Sequence, residues 1–355
     1  MSFEFIKKLP TPAEIRKELP LPAELARIKE ERDAEIRDVL TGKSNKFLVI
    51  IGPCSADNED SVCDYVNRLA KVNEKVKDKL ILVPRIYTNK PRTTGEGYKG
   101  ITSQPDPEKK PDFLAGLMAM RKMHIRAIKE TGLTAADEML YPENWGYVSD
   151  ILSYVAIGAR SVEDQQHRLT AVSYTHLRAH ETKAYVAIGA RSVEDQQHRL
   201  TVSGFDVAAG MKNPTSGDFS VMLNSVYAAQ HPHSFIYTGW EVNTHGNDLA
   251  HTVLRGATNK HGANIPNYHY EDLIRLWDMY EKMDLKNPAC VIDANHSNSN
   301  KQFKEQIRIT KEVMHSRKLS PDLHKLVKGV MIESYIEEGN QKVGAGCYGK
   351  SIIDP

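Results

Sequence analysis

The sequence has no CxxC pair. Its four cysteines, Cys54, Cys63, Cys290 and Cys347, are scattered, which argues against a disulfide framework and fits a reducing compartment. It also lacks a surplus of either charge. With 47 Lys+Arg against 46 Asp+Glu, the formal net charge is +1, without the basic excess of a nucleic-acid binder. No stretch approaches the roughly 18 consecutive apolar residues of a membrane span, and Met1–Pro10 holds no long apolar run of the signal-peptide kind. The expectation is a cytoplasmic protein with neither nucleic acid nor membrane as partner. At 355 residues, 40% hydrophobic and 26% charged, the chain has room for a sizeable core in one large α/β domain or two smaller ones.

Residues 1–45 are polar and punctuated by Pro10, Pro12, Pro20 and Pro22, then run as a charged helix over roughly Pro22–Leu40. This reads as an extension ahead of the main domain, suited to oligomer contact or regulation. From residue 46 to 355 apolar strands alternate with helical periodicity. Phe47–Ile51, Leu80–Ile86, TAADEM, VAIGAR, VAAGMK, TVLRGA, CVIDANH and GVMIESY follow one another, most of them separated by helical patterns. Each ends on a polar or reactive residue: Cys54, Arg85, Glu138, Arg160 (or Arg191), Lys212, Arg255, His296 and Glu333. Eight strands with chemistry at every carboxyl end predict an α/β fold, a (β/α)8 TIM barrel; a doubly wound sheet would gather function at one switch point. Ser234–Thr244 reads as a hairpin inserted before the sixth strand.

One feature departs from this rhythm. The seventeen residues YVAIGARSVEDQQHRLT occur at 154–170 and again, unchanged, at 185–201. The segment between them, 171–184, contains SYTHLRAHET, which resembles a translated sequencing-adapter fragment. A single perfect repeat points to an assembly error in the sequence, with a genuine regulatory insertion as the alternative; resequencing the locus decides between them. A closed barrel has one slot for this strand, so one copy must lie outside it. The residues alone do not choose the copy.

The stretch Val83–Gly100, VPRIYTNKPRTTGEGYKG, puts Arg85, Lys90, Arg92 and Lys99 on a loop fed by a strand, where prolines and glycines exclude a helix. Guanidinium forks and lysine suit carboxylate and phosphate. With Lys212, Arg255 and one of Arg160/Arg191, the cations at one barrel mouth would repel unless anionic ligands neutralise them, which predicts at least two anionic groups in the ligands. A surface salt bridge is the alternative for each cation taken singly. Cys54, His296, Glu333 and Asp354 form a thiol, imidazole and carboxylate set suited to a divalent transition metal such as Mn, Fe, Co or Zn. Glu138 and His198 (or His167) are candidates to orient water or shuttle protons, against the alternative of a satisfied core histidine.

With IGPCS, PRIYTNKPRTT, GYKG, GARSVEDQQHR, GMKNPTSGD, LRGA, IDANHSNSNK, MIESYIEEGNQ and YGKSIIDP assembled, the chain resembles the class I 3-deoxy-D-arabino-heptulosonate-7-phosphate (DAHP) synthases, over essentially Phe3 to Pro355 apart from the 31-residue excess. The resemblance implies condensation of phosphoenolpyruvate with erythrose 4-phosphate and release of phosphate, at the entry to aromatic amino-acid synthesis. It implies metal ligands at Cys54, His296, Glu333 and Asp354. Phosphoenolpyruvate would be held by Arg85, Lys90, Lys212, Arg255 and Arg160 or Arg191, with Arg92 and Thr93 meeting the sugar phosphate. A homodimer or homotetramer and an aromatic amino-acid feedback inhibitor are further expectations. The family continues through a final helix beyond Pro355, so the expectation is a barrel lacking that helix, with Asp354 near a fraying end. Two rivals remain: an octulosonate-8-phosphate synthase taking a five-carbon sugar phosphate, whose loop carries KANRS-type residues where this chain has KPRTT, and a non-catalytic, defective product of the insertion and truncation.

Overall fold

The computed structural model describes residues 6–90, 97–159 and 196–354. Eight parallel strands dominate it: β1 Phe47–Gly52, β2 Leu80–Pro84, β3 Ala135–Glu138, β4 Leu152–Ile157, β5 Ala208–Lys212, β6 Ala250–Leu254, β7 Cys290–Asp293 and β8 Val327–Glu333. Their spatial order is β2-β1-β8-β7-β6-β5-β4-β3. The two ends of this series meet. Arg85 bridges Ala136 in parallel, and the Ile86 N–H donates to the Ala136 carbonyl at 2.9 Å. The ring is therefore closed, a (β/α)8 barrel as the alternation predicts. The second strand is shorter than expected. Pro84 has no N–H to give the ladder, and beyond it Arg85 adds only one bond to the Ile51 carbonyl at 2.9 Å and the isolated bridge to Ala136.

The crossover helices start where short polar side chains satisfy their first N–H groups. Asn58 caps Glu59–Val76, Asp112 caps Phe113–Thr131 and Asp218 caps Phe219–Gln230. The inserted hairpin is present, Ser234–Tyr237 paired with Trp240–Asn243, between β5 and β6. The repeat is divided between its copies: the first supplies most of β4, and the second supplies most of helix Gln196–Val202. Residues 160–195, including Arg160, His167 and Arg191, lie outside the described residues.

Inside the ring, Leu48, Ile50, Ile81, Val83, Val291 and Met331 pack together. Ile36, Val39 and Leu40, from the C-terminal half of helix Ala23–Leu40, join the same cluster and close the amino-terminal end of the barrel. A helix not anticipated, Pro12–Glu18, precedes it, started by a Thr11–Glu14 capping box. Buried Arg121 holds this arm in place by donating to the Leu19 carbonyl while forking onto both oxygens of Asp150. Among the described residues no helix is long and apolar enough to cross a membrane.

Candidate metal and anion site

The carboxyl ends of the strands deliver their polar residues to one mouth. A cavity of about 150 Å³ there is lined by Cys54, Lys90, Glu138, Lys212, Arg255 and His296, with Lys301 and Asp354 at its side. Close backbone passage makes this possible. A Cβ on Gly52 would come within 2.3 Å of the Arg85 carbonyl, so the glycine of IGPCS lets β1 lie against the exit of β2. Gly256, at φ +76, sits against the turn that follows β7, where a side chain would strike Asn298.

One ligand atom from each of Cys54, Glu333 and Asp354 lies within 4.8 Å of the other two. His296 completes the neighbourhood: its Nε2 is 3.8 Å from Glu333 Oε1, and its Nδ1 is 2.8 Å from Asp293 Oδ2. With Nδ1 facing a carboxylate, the tautomer that carries its proton there leaves the Nε2 lone pair toward Glu333. His296 holds a left-handed backbone, φ +49, as do Asn300 and Lys301 in the same turn. Lys301 donates to Asp354 at 3.0 Å and ties that turn to the end of the chain's last described segment.

The cations are packed against this cluster. Arg85, 1% exposed, brings Nη1 to 2.6 Å from Glu333 Oε1, and Lys90 Nζ stands 3.1 Å from Cys54 Sγ. Lys212 pairs with Asp293 at 3.2 Å. All three surround the buried ring of Tyr87, with Arg85 4.0 Å and both lysines 5.8 Å from its centroid. Arg255 is set from behind, because Asn213 accepts its backbone N–H at 2.9 Å while donating to the Gly256 carbonyl.

The electrostatics follow from burial set against these charges. Burial pushes the Glu333 carboxyl up, but Arg85, His296 and Lys90 outweigh it and hold the group at about 2. Asp293 is likewise held well below the usual carboxylate range, burial being overcome by His296, Lys212 and Arg85. The Cys54 thiol is pushed up by burial and by Glu333, against the opposing pull of Lys90 and Arg85. Two carboxylates are thus ionised beside a thiol that retains its proton until a stronger positive charge arrives.

Some expectations are corrected. Lys99 is exposed and does not line the cavity; its carbonyl instead accepts the Lys90 N–H. The alternative of a surface salt bridge fails for Arg85 and Lys90, which are both buried. Arg85 and Lys212 are neutralised by Glu333 and Asp293, so ligands are not the sole counter-charge. His198 is buried with Nε2 3.1 Å from the Leu140 carbonyl, away from the cavity lining. Arg92 and Thr93 lie outside the described residues. Asp293 and Tyr87 were not anticipated. The acid three positions ahead of His296 in IDANH was the available signal for the first; nothing in the local pattern marks the second.

A closed barrel with a thiol–carboxylate cluster and buried cations at its carboxyl-terminal mouth defines a class: barrel enzymes that handle anionic small molecules. The profile of the DAHP synthetase I family matches residues 24–178 and 176–352, two stretches that meet inside 171–184 and each contain one copy of the repeat. The chain is 34% identical over 328 residues to the Phe-sensitive phospho-2-dehydro-3-deoxyheptonate aldolase of Escherichia coli K12, covering 90% of this chain and 81% of that one. It is 32% identical over 354 residues to the Haemophilus influenzae enzyme of that name, covering 98% and 86%. The solved phospho-2-dehydro-3-deoxyheptonate aldolase of Francisella tularensis superposes with a TM-score of 0.82 at 26% identity, covering 100% of this chain and 93% of that one. The chain belongs to the DAHP synthetase I family.

Proposed function

We propose that this mouth condenses phosphoenolpyruvate with erythrose 4-phosphate and water to give DAHP and phosphate, the first step of the shikimate route. The observation that carries the site assignment is the gathering of Cys54, Glu333 and Asp354 within 4.8 Å of one another, with Lys90 at 3.1 Å from the same thiol. The donor set fits a divalent transition metal. It combines one sulfur, two carboxylates and an imidazole whose second nitrogen faces an acid, the usual way a ligating histidine is oriented. Cys54, His296, Glu333 and Asp354 would hold the ion. Once bound, it supplies Lewis-acid polarisation of the aldehyde oxygen.

The side chains do the rest. Lys90, Lys212, Arg255 and Arg85 bind the carboxylate and phosphate of phosphoenolpyruvate and keep its methylene carbon within reach of the aldehyde. A carbon–carbon bond forms between them, water adds to the second carbon of phosphoenolpyruvate, and phosphate leaves from that carbon. Glu138 lines the cavity with its carboxylate lying over Gly158, where a Cβ would meet Oε1 at 2.1 Å, and is placed to orient the water. Arg92 and Thr93 are assigned to the aldose phosphate through the KPRTT motif.

The test is phosphate release from the two substrates after chelation, with Mn, Fe, Co or Zn added back singly. Turnover lost on chelation and restored by a metal supports the reading. Full turnover in the chelated protein would remove the metal role. Preference for a five-carbon aldose phosphate in competition would move the assignment to the octulosonate-type reaction.

A further inference from the structure

We propose that Asp137 is a positioning residue for this reaction, one carboxylate that sets both Lys90 and Glu138 at the mouth; the inference rests on the function proposed above. Asp137 is the penultimate residue of β3 and is buried. Its Oδ1 accepts the Thr88 N–H at 2.8 Å and the Glu138 N–H at 2.7 Å, and its Oδ2 accepts the Thr88 hydroxyl. Thr88 lies two residues before Lys90, so the carboxylate fixes the loop just ahead of the ammonium group that stands on Cys54. The Glu138 N–H it accepts belongs to the candidate water-orienting residue. Two strand exits, after β2 and at the end of β3, are thereby locked to one another through a single side chain.

The chemistry at Thr88 requires an acceptor there. The Thr88 oxygen already accepts from the Thr102 hydroxyl at 3.0 Å and from Asn89 Nδ2 at 3.3 Å, so its one proton must go outward, to Asp137. Behind the carboxylate, the buried His124 brings Nε2 to 3.5 Å from Oδ2, and neither ring nitrogen has a hydrogen-bond partner among the described residues. An amide in place of the acid would turn an N–H₂ toward the Thr88 oxygen, whose two acceptor sites are already used. The loop must then shift, and Lys90 moves with it. A shift of this kind weakens the grip on an anionic substrate in ground and transition state alike, which raises KM more than it lowers kcat.

The experiment compares Asp137→Asn, Thr88→Val and Thr88→Ser in the full chain by steady-state kinetics, with thermal melting alongside. The expected result is a rise in KM for phosphoenolpyruvate of about tenfold in Asp137→Asn and about threefold or more in Thr88→Val, with kcat within about threefold. Thr88→Ser keeps the hydroxyl and should stay near the parent. Folded variants that keep the parental KM would overturn the proposal, as would a Thr88→Ser as impaired as Thr88→Val. A purely structural role would lower melting temperature and kcat together and leave KM alone. Should the parent release no phosphate from the two substrates, the functional reading fails by itself. Calorimetric binding of phosphoenolpyruvate then tests the positioning, and equal affinity in parent and Thr88→Val would overturn it.

Discussion

The two ends of this barrel solve opposite problems with the same strands. At the amino-terminal end, Ile36, Val39 and Leu40 enter the ring among Leu48, Ile81 and Val291, and stability comes from dry packing. At the carboxyl-terminal end, Arg85, Lys212, Asp293 and Glu333 are almost fully buried as ion pairs, which pay desolvation and return little net stability. The contrast teaches where the fold is held and where it is spent: the apolar end tolerates no lost volume, and the charged end tolerates no lost partner.

Glu333→Gln should give the largest effect at the mouth. It removes a proposed metal ligand and strips the counter-charge from the buried Arg85. Turnover is expected to fall by at least about 10³-fold and stability by about 3–5 kcal/mol, read by phosphate release and urea denaturation. Cys54→Ala separates the two. It should abolish metal-dependent turnover with a smaller drop in the urea midpoint, since it takes a neutral acceptor from Lys90 and leaves the Arg85–Glu333 and Lys212–Asp293 pairs intact. Equal destabilisation by both variants would show that the mouth is held by packing after all.

Leu40→Ala attacks the other end. Deleting a fully buried side chain with little room to collapse should cost about 2–5 kcal/mol, while KM and kcat measured well below the melting temperature stay within about twofold of the parent. A KM change as large as that of a mouth variant would join the two ends and end the comparison.

How much of this was legible in the sequence follows the same division. The strands and the closure of the ring were readable because apolar period and polar strand ends are local signals. The gathering of Cys54, Lys90, Lys212 and Glu333 could be expected once eight strands shared a rim. The pairing of Lys212 with Asp293, 81 residues apart, was not readable, because the barrel's register brings them together and no spacing encodes it. Tyr87 beneath three cations was hidden for the same reason. Helix Pro12–Glu18 was readable and missed: Thr11, Pro12 and Glu14 are its start signal, obscured by the surrounding prolines.

Midway between the ends lies one neutral polar pair, which gives a smaller and pH-dependent test. Tyr154 donates to His251 Nε2 at 2.8 Å, and His251 Nδ1–H donates to the Leu249 carbonyl. The Tyr154 hydroxyl passes over Gly210, where a Cβ would come within 2.2 Å. Burial lowers the His251 pKa to about 4 against the opposing pull of the Leu249 carbonyl. The unfolded chain binds this proton near 6.5 and the folded one only near 4, so stability is full above about pH 6.5 and falls as pH drops toward 4, by roughly 3 kcal/mol in all. In His251→Gln that part of the acid dependence should vanish from urea midpoints taken between pH 7 and 4.5. An unchanged slope would place the titration elsewhere.

The smallest expected effect belongs to the outer layer, remote from both ends. Helix Phe113–Thr131 stops at Gly132, whose φ is +69 and whose missing side chain faces open space. Gly132→Ala therefore adds no clash and tests the left-handed backbone alone, at about 1–2 kcal/mol. Gly132→Asn should cost less, because asparagine enters that region more readily. Neither should alter KM, since the helix end contacts neither the apolar plug nor the charged mouth. If Gly132→Ala raised KM for phosphoenolpyruvate without unfolding the protein, the helix would be transmitting strain through His124 to Asp137, and the mouth would depend on the outer layer as well as on its own ion pairs.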